Sequence, residues 1–420
     1  MRKYKLILLM GAVAILLSGG YLIKDKLLNN KSTEEKPVAN KLVESNLDKM
    51  YELPAFYDDF PSPEKLNLMQ VDLRRKDLSE LDLKGRRKDL FNAYFDSTTK
   101  WPSKDKMPED FNPEKVLELG KDPGLGISKL HKEGITGKNI GIAILDSPLK
   151  NKHVDYNDRI KHYEEMFNPK GDNLEHGPAV TSIAAGKSVG VASEADIYYF
   201  ADDNDYTDKN GNTKNDFEKV AKVIDRVIEI NKTLPEDKKI RVISMSEGCG
   251  PEDKGYKEFK DAVSRAGKEG IFAISSILED THGFKFNGLG RFPEDDVNNV
   301  SSFINGKFYQ SVLFRHTPEE FLKLDKDYLY FPMDSRAVAG PNYDDEYIFY
   351  RFGAYSWVVP YISGLYALSC EVNPKVTPEL FWKTALETSK EIKFDYKSKT
   401  YEIKHVVSPV DLIEKLRALK

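Results

Sequence analysis

From Pro123 onward, short apolar runs alternate with stretches in which apolar residues recur every three or four positions. Ile140–Leu145 (IGIAIL), Ile197–Ala201 (IYYFA), Arg241–Ser246 (RVISMS) and Ile271–Ser275 (IFAIS) are continuous enough to predict strands buried on both faces. Between the second and third, Phe217, Val220, Ala221, Ile224, Val227 and Ile228 fall on one helical stripe, and a second helix runs through YKEFKDAVSRAGKEG to Gly270. Near the end, Thr377 with Pro378 and Ser408 with Pro409 have the form of a capping residue followed by a proline in the first helical turn. This alternation predicts an α/β fold, a mostly parallel sheet with helices on both faces, preceded by an N-terminal extension. In such sheets chemistry collects at the carboxyl ends of the strands.

One run breaks the rule for a buried helix. FGAYSWVVPYISGL, Phe352 to Leu365, carries Pro360 near its head. Proline lacks a backbone N–H and is accepted in the first turn, which predicts a helix starting at about Ser356. The Ser356 hydroxyl then stands at the positive end of the helix dipole, either as an N-cap or as a nucleophile beside free backbone N–H groups.

The first residues differ in kind. A basic start, MRKYK, precedes the uncharged run Leu6–Leu17 and the small residues Ser18 to Gly20. Residues 1–23 are therefore expected to be a signal peptide or a membrane anchor, with the remainder exported and either secreted or tethered to the outer face of the cytoplasmic membrane. No cysteine follows the run, which excludes a lipid-modified cysteine there. Residues 24–122 form a polar spacer and N-terminal extension, and residues 123–420 the α/β domain. Within the extension Asp-Leu recurs at Asp72, Asp77 and Asp82 with a period of five. Three units are too few to stack on themselves as a solenoid, so the repeat reads as a local pattern, with a small repeat element as the alternative.

Composition narrows the function. With 420 residues, 40% hydrophobic and 11% aromatic, the chain can fill a large core. Its net charge of -5, with bases interspersed among acids, gives no reason to expect nucleic acid as a partner. Cys249 and Cys370 are too few for a disulfide framework and read as packed thiols.

Two further residues carry chemistry. Asp146 follows the IGIAIL strand directly, as a turn former before Ser147 and Pro148 or as a site carboxylate. His176 precedes Gly177 and Pro178, which mark a helix start, and lies off the apolar stripe of Val180, Ile183 and Ala184, so it is free to titrate. His131, His153, His162, His282, His316 and His405 have no comparable frame. A serine needs a base to take its proton, and the base needs a carboxylate to fix its tautomer.

Over roughly Gly124 to Lys390 the sequence resembles the subtilisin-like serine proteases, the subtilase family. TGKNIGIAILDSPL is similar to the family's aspartate segment, EHGPAVTSIAAG to its histidine segment, and AYSWVVPYISGL to its serine segment. The order Asp, His, Ser is the family's. The resemblance implies that Asp146 orients the base, His176 is the base and Ser356 the nucleophile of a serine endopeptidase acting through an acyl-enzyme on peptides or proteins. It also implies that VISMSEG and GIFAIS bind substrate, through Ser244, Ser246, Gly248, Ala273 and Ser275, that residues 123–420 are the catalytic domain, and that residues 24–122 are a propeptide or an accessory region.

The departures lie around the oxyanion. Ala354, Tyr355, Ser356, Trp357 and Val358 replace the usual Gly-Thr-Ser-Met-Ala, and the bulky neighbours narrow the approach to the hydroxyl. Where the family supplies an asparagine, Glu279 or Asp280 falls; Thr281 and Asn287 are nearby substitutes, and the backbone N–H of Ser356 is a further donor. A missing donor costs about 3 kcal/mol, a magnitude that comes from subtilisin itself. GKSVG, Gly186 to Gly190, matches the nucleophile elbow of α/β hydrolases, but a helix precedes it and a strand follows, the reverse of that motif's order. Asp202–Asp216 is rich in oxygens, and a turn in a solvated loop accounts for it; calcium is the one cofactor the resemblance leaves open. The rival class is a binding or scaffolding protein on a catalytically impaired subtilase domain. Oligomeric state is not legible.

Overall fold

The computed structural model describes residues 71–169, 175–208, 211–304, 328–396 and 398–420. The expected signal or anchor segment and the polar spacer lie outside these residues. Among the described residues no helix is long and apolar enough to cross a membrane.

The strands are β1 (Phe95–Asp96), β2 (Gly141–Asp146), β3 (Ile160–Met166), β4 (Asp196–Asp202), β5 (Asp205–Thr207), β6 (Thr213–Asn215), β7 (Ile240–Met245), β8 (Phe272–Ser275), β9 (Phe286–Leu289), β10 (Leu329–Pro332), β11 (Arg336–Ala339), β12 (Tyr347–Tyr350), β13 (Lys390–Tyr396) and β14 (Lys399–Val406). The helices that matter below are α1 (Pro113–Lys121), α2 (Ile127–Lys132), α3 (His176–Ala185), α4 (Phe217–Thr233), α5 (Tyr256–Lys268), α6 (Leu278–His282), α7 (Tyr355–Val372), α8 (Pro378–Thr388) and α9 (Pro409–Ala418).

A five-stranded parallel sheet in the order β3-β4-β2-β7-β8 forms the centre. Four of its five strands, β4, β2, β7 and β8, are the four apolar runs, within one or two residues at each end. Because these four strands are covered on both faces, each is largely apolar instead of alternating, whereas the edge strand β3 buries only Tyr163. Ala143, Leu145 and Ile243 face α4 and α5, whereas Ile142, Ile144 and Val242 face the core that contains α3 and α7. Thr377 caps α8 as expected, accepting from Leu380 N at 3.2 Å, but Ser408 gives its hydroxyl to the Asp411 carboxylate at 2.8 Å instead of capping α9.

The five-residue period has a structural meaning that the count of three concealed. Asp72, Asp77 and Asp82 each accept from the backbone N–H two residues on, at 3.0, 3.2 and 3.1 Å, so each aspartate turns a corner. The leucine after each points inward: Leu73, Leu78 and Leu83 are buried. Their N–H groups donate to the carbonyls of Tyr94, Lys100 and Lys106, stacking this coil on the next one. The units stack on a following coil of different sequence, which corrects the reading of an isolated local pattern. Phe95, Phe111 and Val116 complete the core of this block, and Phe349 of β12 belongs to the same core. β1 pairs antiparallel with β12 and so extends the sheet β1-β12-β11. The described part of the N-terminal extension is thus joined to the following domain by a shared sheet and a shared core.

Candidate active site

β2 ends on Asp146 and α3 begins on His176, and the two side chains meet at the carboxyl edge of the central sheet. His176 Nδ1 lies 2.8 and 2.9 Å from the two Asp146 oxygens. Ser147 holds the pair in register: its N–H and hydroxyl donate to Asp146 Oδ1 at 2.8 and 3.1 Å, and its oxygen accepts from Gly177 N at 3.1 Å. Only glycine fits after the histidine, since a Cβ there would come within 2.6 Å of the Ser147 carbonyl and also strike the Tyr199 hydroxyl.

Ser356 stands in the first turn of α7. The helix starts one residue before the predicted position, with Ala354 as N-cap and no side-chain cap bond, so Ser356 is not a capping serine. Pro360 accordingly lies in the second turn, where its missing N–H deprives the Ser356 carbonyl of its usual helical donor. The hydroxyl of Ser246 fills that vacancy, donating to Ser356 O at 3.1 Å. The Ser356 hydroxyl in turn donates to the Ser246 carbonyl at 3.3 Å. Among the described residues no hydrogen bond joins Ser356 to His176, but the two neighbourhoods touch: the Trp357 ring lies 6.0 Å from the imidazole. Ser356 is only 6% exposed between Tyr355 and Trp357, in keeping with the narrow approach expected from those bulky neighbours.

The electrostatics are set by acids. Burial lowers the basicity of His176, and the Asp146 carboxylate, with a smaller contribution from Glu247, outweighs it, leaving His176 above its ordinary value. Glu247, two residues past the end of β7, is pushed up to about 7 by burial and by the Asp146 charge, although Asn204 donates to it at 2.5 Å. Asp202, the last residue of β4, is raised well above the carboxylate range by burial and by Glu247 and Asp146. The sequence reading missed Glu247 and Asp202. Their signal was positional: like Asp146, each is an acid at the carboxyl end of a central strand.

Of the residues expected to bind substrate, Ser246 and Gly248 lie at this edge. Ser244 and Ala273 lie back from it, 2% and 1% exposed within β7 and β8, and Ser244 has strands β2 and β8 on either side. Ser275, also 1% exposed, ends β8 with its hydroxyl buried and without a hydrogen-bond partner. Glu279 and Asp280 stand exposed on α6, and the Glu279 carboxylate is 3.7 Å from Lys285 Nζ, so neither is presented as a donor for an oxyanion. Thr281 is turned back on its own helix, donating to the Ile277 carbonyl at 3.3 Å. Asn287 accepts from Gly288 N at 2.8 Å within β9. The acidic stretch after β4 forms the β5-β6 hairpin, with its tip outside the described residues. Among the described residues no group of three or more histidine, cysteine, aspartate or glutamate side chains is placed to hold a metal. Cys249 and Cys370 are free, buried thiols.

Residues 137–286, which include Asp146 and His176, match the family model described as the subtilase family. This stretch is similar to the subtilase family. The subtilase match takes in the whole central sheet and stops before α7. Subtilisin-like protease 2 of Arthroderma otae is 29% identical over 153 residues, which make up 36% of this chain and 33% of that protein. The chain thus matches about a third of the length of that curated relative. Among solved structures, the chain is similar to the prenylagaramide maturation protease PagA, at 16% identity and a TM-score of 0.45 over 69% of this chain and 98% of that one. It is also similar to the PatG macrocyclase domain, at 12% identity and a TM-score of 0.45 over 70% and 95%.

Proposed function

We propose that the protein is a serine endopeptidase of the subtilase type, exported or membrane-tethered, that cleaves peptide bonds of peptides or proteins. The observation that carries this reading is the hydrogen bond of His176 Nδ1 to Asp146 at the mouth of α3, beside the helix start that holds Ser356. With Nδ1–H donated to the carboxylate, the lone pair of Nε2 is left to accept a proton.

The Ser356 hydroxyl leaves the Ser246 carbonyl and gives its proton to His176 Nε2 as Oγ attacks the substrate carbonyl carbon. The N–H of Ser356, in the first turn of α7 and without an intrahelical partner, meets the oxyanion. His176 returns the proton to the leaving nitrogen as the C–N bond breaks, and an ester on Ser356 remains. Water, deprotonated by the same imidazole, then hydrolyses it. Since Glu279 and Asp280 supply no side-chain donor, a slow enzyme is expected.

Hydrolysis of an unfolded protein substrate by the purified full chain, compared with Ser356→Ala, tests the reading. Cleavage by the first and none by the second is the expected result; cleavage unaffected by the substitution removes Ser356 from the reaction.

A further inference from the structure

One side chain of the N-terminal block reaches the residue next to His176. Arg74 sits between the first two corner aspartates of the coiled block. Its Nε and Nη2 donate to the Asp72 carboxylate at 3.0 and 2.9 Å, which fixes the guanidinium plane. That leaves Nη1 aimed out of the block, donating to Glu175 Oε2 at 2.6 Å and to the Tyr350 hydroxyl at 3.3 Å. Tyr350 closes the triangle by donating to the same Glu175 oxygen at 3.1 Å. Glu175 is the N-cap residue of α3 and immediately precedes His176, yet its side chain makes no capping bond. Its carboxylate is held from outside the helix.

A second line of contact runs to the same imidazole. The guanidinium lies 4.7 Å from the Tyr94 ring, Tyr94 stacks on Tyr350 at 5.9 Å, and Tyr350 meets the Trp357 ring edge-on at 5.4 Å. Trp357 in turn lies 6.0 Å from His176 and follows Ser356. Both the start of the histidine helix and the aromatic wall between histidine and serine therefore rest on Arg74.

We propose that Arg74 is a positioning residue for His176, acting through Glu175, and that the block around it is a permanent part of the active enzyme and not a segment shed at maturation. The inference rests on the protease reading for its consequence in rate, but the geometry it claims is measurable without any reaction. The bidentate grip on Asp72 is what makes arginine necessary: a lysine supplies one charge to Glu175 but cannot hold both carboxylates in a fixed plane.

The test uses the full chain and the variants Arg74→Gln, Glu175→Gln, their double and Arg74→Lys, each confirmed folded by circular dichroism. The first readout is the downfield proton resonance of the His176 Nδ1–H, followed by NMR; it is expected to shift or broaden away in Arg74→Gln and Glu175→Gln and to be kept, in part, in Arg74→Lys. The second is labelling by a fluorophosphonate, separated into its maximal rate constant and its half-saturating concentration. The maximal rate constant is expected to fall about 10- to 100-fold in each single variant with the half-saturating concentration unchanged, as displacement of a reacting group entails. The double variant is expected to be no slower than either single one, because the two residues act as one unit. Should Arg74→Gln fail to fold, Glu175→Gln, whose side chain is more than a third exposed, carries the test alone. An unmoved His176 resonance overturns the inference whether or not the protein labels. So does wild-type labelling by a folded variant. Absence of labelling in the wild-type protein with a displaced resonance in the variants overturns the protease reading and leaves the positioning role standing.

Discussion

Gly364 of α7 lies against Ala184 of α3 so closely that a Cβ on the glycine would come within 2.7 Å of the Ala184 carbonyl and of the Val191 side chain. These are the two helices whose first turns carry Ser356 and His176. Their spacing, and with it the distance between hydroxyl and imidazole, is set where the glycine lets them cross. Gly364→Ala is expected to cost about 1–3 kcal/mol through overpacking. It is also expected to slow hydrolysis about 10-fold or more, because the helix starts are displaced. Urea denaturation and an activity assay on the same preparation check both effects. Loss of stability with full activity would break the link between the crossing and the site.

The acid limb of the activity profile follows from the carboxylates that face His176, Asp146 from β2 and Glu247 from beyond β7. The imidazole works as a base only when neutral, and both charges favour its protonated form, so the rate is expected to be lost as pH falls through a value above the ordinary one of about 6.5. Glu247, itself pushed up to about 7, is charged only in part across this limb, and Glu247→Gln removes that part and should lower the His176 pKa. The limb is then expected to move to lower pH, by about one unit or less, while Asp146 still orients the ring. A pH series of kcat/KM on wild type and variant reads this directly; a limb that stays put or moves up contradicts it.

The coiled N-terminal block is expected to behave as core, not as appendage. Leu78 is fully buried at its centre. Leu78→Ala is therefore expected to cost about 2–5 kcal/mol. Because the block carries Arg74, activity is expected to fall in parallel. Denaturation midpoints and hydrolysis rates measured together decide this, and a midpoint equal to wild type would mean that the block contributes nothing to the fold.

The parts of this arrangement that the sequence made legible are those fixed by local rules. A strand buried on both faces announces itself as an unbroken apolar run, and Gly177-Pro178 after His176 marks a helix start from two residues. Longer-range facts were hidden. The Asp-Leu period pointed to corners at Asp72, Asp77 and Asp82, but the partners of Leu73, Leu78 and Leu83 are carbonyls 21 to 23 residues on, in a coil that does not repeat the pattern. A first-turn place for Pro360 is the cheapest a local rule offers; a hydroxyl from Ser246, 110 residues before Ser356 in sequence, removes the cost of the second-turn position. Ser244 and Ala273 looked like binding residues by alignment of motifs, but only the ends of those strands reach the edge, where Ser246, Glu247 and Gly248 stand. Glu279 fell where a donor was expected, and its pairing with Lys285 depends on a contact no local pattern encodes.

The most direct measurement is the site of covalent capture by a fluorophosphonate, mapped by mass spectrometry on the full chain with Ser356→Ala and His176→Ala alongside. An acid, an imidazole and an alcohol acting as one relay predict a single adduct on Ser356, abolished by the first substitution and suppressed by the second. An adduct on another residue, or equal capture in all three proteins, would contradict the account.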